Sequence, residues 1–101
     1  MKRRRVQVTA TAREQIRAVK AWQRENGVDV TTLANEIEEA FTFLSLIPAA
    51  GSPYSCNEVP DAQRLFLRRV SYHLYYTFSE DKVVIRALWH TSRGHGPDLA
   101  W

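Results

Sequence analysis

A chain of 101 residues, 45% of them hydrophobic and 25% charged, with a net charge of +3, has the make-up of an ordinary folded globule. It suits one domain, residues 1–101, burying roughly two thirds of its unfolded surface, and is too short for two. Its one cysteine, Cys56, excludes an intrachain disulfide and fits a reducing cytoplasm, and its most apolar stretch, 40–50, is broken by Thr42, Ser45 and Pro48 and is too short to span a bilayer.

Taken in order, the chain opens on Met1-Lys2-Arg3-Arg4-Arg5, charged like the start of a signal peptide. Val6-Gln7-Val8-Thr9 then alternates where such a peptide needs an apolar core, so a short strand is expected over 3–8. Its arginines suit a sheet edge. Thr9 and Thr11 are both candidate N-caps, and Thr11 with Glu14 matches a capping box. The helix that follows should run to about Glu25. Ala12, Ile16, Val19 and Trp22 form its apolar stripe. Arg13, Arg17, Lys20 and Arg24 form a basic one, whose ordinary reading is a solvated face. Asn26-Gly27 stops this helix.

A second helix is expected from Asp29, Thr31 or Thr32 to Pro48. Leu33, Ile37, Phe41, Leu44 and Ile47 make its apolar stripe, and Glu36, Glu38 and Glu39 face water. The short link makes the pair an antiparallel hairpin. Residues 49–62 read as a loop, broken by Gly51, Pro53, Asn57 and Pro60. Cys56 in that loop reads as an incidental surface thiol.

Three strand-like segments follow: Arg64–Val70, Tyr72–Phe78 and Val83–His90. The last two join through Ser79-Glu80-Asp81-Lys82 as a hairpin. Only Ser71 separates the first two, which implies a bend or bulge. Gly94, Gly96 and Pro97 make the remainder a tail. Charge is segregated along this order. Residues 1–24 hold eight Lys or Arg against one acid, residues 25–61 hold seven acids and no Lys or Arg, and residues 62–101 hold six bases against three acids. Basic ends suit an anionic partner, including nucleic acid met directly by the sheet.

Simple alternation puts Tyr72, Leu74, Tyr76 and Phe78 on one sheet face and His73, Tyr75 and Thr77 on the other. It puts Ile85, Ala87 and Trp89 under the helices, and Arg86 with Val84, Leu88 and His90 on the opposite face. Arg68 and Arg69 point to different faces. Arg86 needs a carboxylate unless its face is open. His90 ends a strand and serves acid–base work only in a cleft. His73, His90 and His95 lack companions for a metal site. No Walker loop, dinucleotide fingerprint or zinc spacing is present.

The order β-α-α-β-β-β describes an α+β fold: an N-terminal strand, a helical hairpin and a three-stranded antiparallel meander. It resembles the RelE/ParE superfamily of bacterial toxins from type II toxin–antitoxin modules. The likeness runs through Thr9-Ala10-Thr11-Ala12, Pro48-Ala49-Ala50-Gly51-Ser52-Pro53 and Arg64-Leu65-Phe66-Leu67. It continues through Tyr72, Tyr76 and the stretch from Val84 to Arg93. The resemblance implies a cytoplasmic growth-arresting toxin, with plasmid stabilisation among its roles. It implies no cofactor, no membrane and no small-molecule substrate, and a cognate antitoxin that lays extended and helical segments along the toxin. RelE-like members cut messenger RNA in the ribosomal A site and need cations at the scissile phosphate with an acid/base pair. ParE-like members block DNA gyrase. The arginine that follows the first middle-strand tyrosine in nucleases is His73 here. The helical hairpin and the lack of a C-terminal helix are closer to ParE. The resemblance therefore implies gyrase as target and a non-enzymatic toxin, with a ribosome-dependent endonuclease as the alternative. Arg69, Arg86, His90 and Arg93 become the target- or phosphate-binding candidates. His73, Arg86, His90 and Arg93 become the catalytic candidates if the toxin is a nuclease.

Overall fold

The computed structural model of the chain describes residues 3–54, 59–93 and 96–97. The expectations for Cys56 and His95 lie outside the described residues. Strand β1 (Arg5–Val8) leads into helices α1 (Ala10–Glu25) and α2 (Thr31–Leu46). A 3-10 turn (Pro48–Ala50), a two-residue strand β2 (Ser52–Pro53), and strands β3 (Gln63–Leu67), β4 (Tyr72–Phe78) and β5 (Lys82–His90) complete the α+β architecture.

Local chemistry sets the helix ends. Thr9 sits in extended backbone and its Oγ1 accepts the Ala12 N–H at 3.1 Å, so Thr9 caps α1. The Thr11–Glu14 box is not formed. Glu14 pairs with Arg17 instead, and that hydrogen-bonded guanidinium holds its carboxyl below the usual range. Gly27 takes the left-handed conformation past the helix end, with φ +70. Asp29 Oδ1 accepts the Thr31 N–H at 2.9 Å as α2 begins, which lowers the Asp29 pKa.

The sheet order is β1-β5-β4-β3-β2. The expected meander is there, and it is extended at both edges. β1 joins β5 in parallel, from Arg5 opposite Lys82 to Val8 opposite Ile85. β2 lies inside the stretch expected to be loop and pairs Ser52 with Arg64. Tyr76 ties that stretch down: its hydroxyl donates to the Pro48 carbonyl at 2.6 Å and accepts the Gly51 N–H at 2.9 Å. A side chain at Gly51 would meet the same hydroxyl at 2.5 Å and the Arg64 carbonyl at 2.6 Å, so the turn requires glycine. β3 stops three residues short of the expected Val70. Residues 68–71 form a turn instead, with Ser71 at φ 58. Thr91 N–H donates to the Ser71 carbonyl at 3.0 Å, which fastens the end of β5 to that turn.

The main core lies between helices and sheet. Ala12, Leu33, Ile37, Ala40 and Leu44 meet Leu67, Leu74, Tyr76, Val83, Ile85 and Leu88, ringed by the half-buried Ile16, Val19 and Phe41. The apolar stripes overrun this core. Trp22, in the last turn of α1, is 58% exposed, and Ile47, just past α2, is 47% exposed.

One irregularity reverses part of the expected facing. Tyr75 lies opposite Ala87 but Tyr76 lies opposite Ile85, so Arg86 is an extra residue in β5. Alternation therefore restarts one residue late. Ile85 and Leu88 both pack under the helices, while Ala87 and Trp89 join Tyr75, Ala62, Tyr54 and Val59 in a second cluster on the far face. Trp89 is thus not under the helices, and Arg86 does not share a face with Leu88 and His90.

Candidate functional site

The far face of the sheet carries a row of rings in register. Phe66 on β3 stands opposite His73 on β4, and His73 stands opposite Trp89 on β5. Phe66 and His73 are 5.4 Å apart between ring centres, and Phe66 is 50% exposed. The Arg93 guanidinium lies over Trp89 at 4.0 Å, a cation–π contact. The next row is buried. Tyr75 takes the Tyr54 ring edge-on at 4.7 Å, and Arg64 lies 5.5 Å from the Tyr54 ring centre. Further along, Arg86 Nε donates to Thr77 Oγ1 at 3.0 Å.

Burial first, and the Arg64 charge second, push the His73 imidazole below its ordinary pKa. A histidine so placed is neutral at pH 7 and carries no charge for a phosphate. Thr77 is four residues along β4 from His73, about 13 Å of strand, so Arg86 and His73 do not converge.

His90 projects on the other side, at the end of the sheet. Its ring stands edge-on to Tyr72 at 4.9 Å. Ser92 N–H donates to His90 Nδ1 at 3.0 Å, and Ser92 Oγ lies 2.7 Å from the same nitrogen. Burial raises the Tyr72 phenol, and Arg93 opposes that shift. His90, Arg93 and Tyr72 share a groove with Trp22 and Gln23 of α1. Arg69 is elsewhere, 3.5 Å from Glu36 of α2, which also accepts its backbone N–H at 3.3 Å. The structure therefore brings His90 and Arg93 together, places Arg93 against the ring row that includes His73, and separates Arg86 and Arg69 from both. Among the described residues no cluster of three His, Cys, Asp or Glu side chains could hold a metal, and no helix is long and apolar enough to cross a membrane.

Residues 6–94 match the model of a protein family, the ParE toxin of the type II toxin–antitoxin system parDE. The chain belongs to this family. It is the toxin of a type II toxin–antitoxin system. Among solved structures it is similar to a chain of the toxin–antitoxin complex RelBE2 from Mycobacterium tuberculosis. That match has a TM-score of 0.65 and 26% identity, covering 92% of this chain and 97% of that one. It is also similar in fold to a chain of the chromosomal ParDE system from P. aeruginosa. There the TM-score is 0.66 and the identity 15%, covering 86% of this chain and 95% of that one. The comparison with curated proteins returned no match.

In this ParE-family toxin, the site residues that sequence reasoning missed are Phe66, Trp89 and Gln23. Phe66 had a signal: it alternates out of the apolar Leu65/Leu67 pair in a strand. Trp89 had none, because the extra residue at Arg86 reverses its face.

Proposed function

We propose that this toxin arrests growth in the cytoplasm by docking on a protein target, DNA gyrase, and that a cognate antitoxin neutralises it. The observation that carries this reading is the row Phe66–His73–Trp89 with Arg93 stacked at its end. Aromatic rings and arginine side by side are the composition of protein-binding hot spots. Where a nuclease needs a fixed cation, this row holds a half-buried imidazole pushed toward its neutral form. Losing one preorganised charge in such chemistry costs on the order of a hundredfold or more in rate. Family membership and the likeness to toxin–antitoxin complexes support the antitoxin as partner. Complementary charge on the antitoxin would speed its association with the basic toxin.

One observation favours the second reading, a ribosome-dependent endonuclease. Tyr72, His90 and Arg93 are neighbours at the sheet end, and they could supply an acid/base pair with a cation. Purified toxin tested on gyrase supercoiling and on ribosome-bound messenger RNA separates the two. The gyrase reading expects loss of supercoiling, relieved by Trp89→Ala or Arg93→Ala. Codon-aligned cleavage abolished by His90→Ala, with supercoiling untouched, would replace it.

A further inference from the structure

The fold leaves the outer face of α2 open. Leu33, Ile37, Ala40 and Leu44 point into the core, so Asn35, Glu39, Thr42 and Leu46, spaced four, three and four apart, form the opposite stripe. They line a hollow together with Glu38 and Phe43. Phe43 is 44% exposed, so a large ring meets water there. Glu38 and Glu39 are exposed too, and neither is in an ion pair among the described residues, whereas Glu36 turns away to Arg69. Thr42 also lines a second hollow, and that one is basic. Arg3, Arg4 and Arg5 stand in it beside Phe41 and Ser45. The Arg4 N–H donates to the Ser45 carbonyl at 2.9 Å, which ties this basic segment to the C-terminal end of α2. Arg4 Nε donates to the Ser79 carbonyl, while Arg3 and Arg5 are exposed. The face therefore carries acids about one helical turn before Thr42 and bases about one turn after it, with the Phe43 ring between.

A face of this kind is complementary to itself about a two-fold axis, in one sense only. Two α2 helices laid antiparallel about an axis near Thr42 and Phe43 set Glu39 of one copy level with Leu46 of the other. Glu38 then comes beside the other copy's Arg3 to Arg5, and the contact occurs twice. The two Phe43 rings come nearly level with each other. A parallel pairing would set glutamate on glutamate and arginine on arginine. We propose that the outer face of α2 is a self-association surface for a second copy of this chain. The copies dock antiparallel, with Glu38 of each meeting Arg3 and Arg5 of the other around a Phe43 centre. The helices then lie between the two sheets, so both far faces, with their Phe66–His73–Trp89 rows, point outward and stay open. One helix face with a flanking strand end is at the small end of specific interfaces, so the affinity is expected on the order of micromolar.

The test is sedimentation velocity of the full chain over a range of concentrations, at low and high salt. Wild type is expected to pass from monomer to dimer as concentration rises, and to dissociate as salt rises. Thr42→Arg puts like charges at the two-fold axis from an exposed position, and Glu38→Arg reverses the ion pair. Each is expected to weaken the dimer by about tenfold or more while melting as wild type. Arg3→Glu with Arg5→Glu in one chain should do the same. Mixing that chain with the Glu38→Arg chain restores both ion pairs, so a mixed dimer is expected. Wild type that stays monomeric throughout overturns the proposal, and so does a folded Glu38→Arg chain that dimerises as wild type. A mixture that stays monomeric overturns the antiparallel pairing. A monomeric wild type whose Thr42→Arg variant loses antitoxin binding assigns the face to the antitoxin instead.

Discussion

The two faces of the sheet are both packed, but to different ends. Under the helices, Leu74, Tyr76, Val83 and Ile85 are wholly buried, and the one hydroxyl among them is tied to Pro48 and Gly51. On the far face Tyr75 and Ala87 are as deeply covered, yet beside them Phe66 stays half in water and Arg93 rests on Trp89. The helix face accounts for stability. The far face keeps one large ring, Phe66, exposed beyond what folding requires, which is where a partner is expected to act.

Mutating one residue on each face gives the sharpest contrast. Leu74→Ala should cost about 2–5 kcal/mol in denaturant unfolding, because it opens a cavity in the core. Phe66→Ala should cost under about 1 kcal/mol, the value of one cross-strand ring pair, and yet relieve growth arrest when expressed without antitoxin. Full arrest by a folded Phe66→Ala chain would break the division between the faces. Tyr76→Phe should fall between these, at about 1–3 kcal/mol by the same unfolding measurement. It leaves the Pro48 carbonyl without its donor and the Gly51 N–H without its acceptor.

Much of this division is legible in the chain. The stripe Leu33–Ile37–Leu44 and the alternation Tyr72–Leu74–Tyr76 need only periodicity, and both land on the core. Three features are not legible, each for a physical reason. β1 pairs with β5 across some seventy-seven residues, from Arg5 to Lys82, and no local pattern reports such a pairing. Trp22 keeps the helical phase of Ala12 and Ile16 but lies past the residues that cover them. The bulge at Arg86 carries no composition signal, and it alone moves Trp89 to the far face, beside His73. The candidate site was therefore half visible. His90 and Arg93 were named as candidates from sequence and lie in one groove, and the ring row that gives Arg93 its setting was not foreseen.

A smaller effect separates His73 from the rest of its row. Its folded pKa lies below the unfolded value of about 6.5. The unfolded chain then binds the proton more readily, so stability falls as pH drops through about 6.5 and levels off below the folded pKa. His73→Gln should flatten that part of the stability–pH curve, read from unfolding midpoints at a series of pH values. An unchanged slope would show that burial and Arg64 do not act on this ring in solution.

The most direct test of a docking rather than a catalytic row is growth arrest by His73→Phe, expressed without antitoxin. The substitution keeps a ring between Phe66 and Trp89 and removes any proton-transfer or cationic role of this one side chain. Arrest equal to wild type is the predicted result. Loss of arrest by a His73→Phe chain that still folds and still binds antitoxin would contradict it, because only the imidazole chemistry would then have been removed.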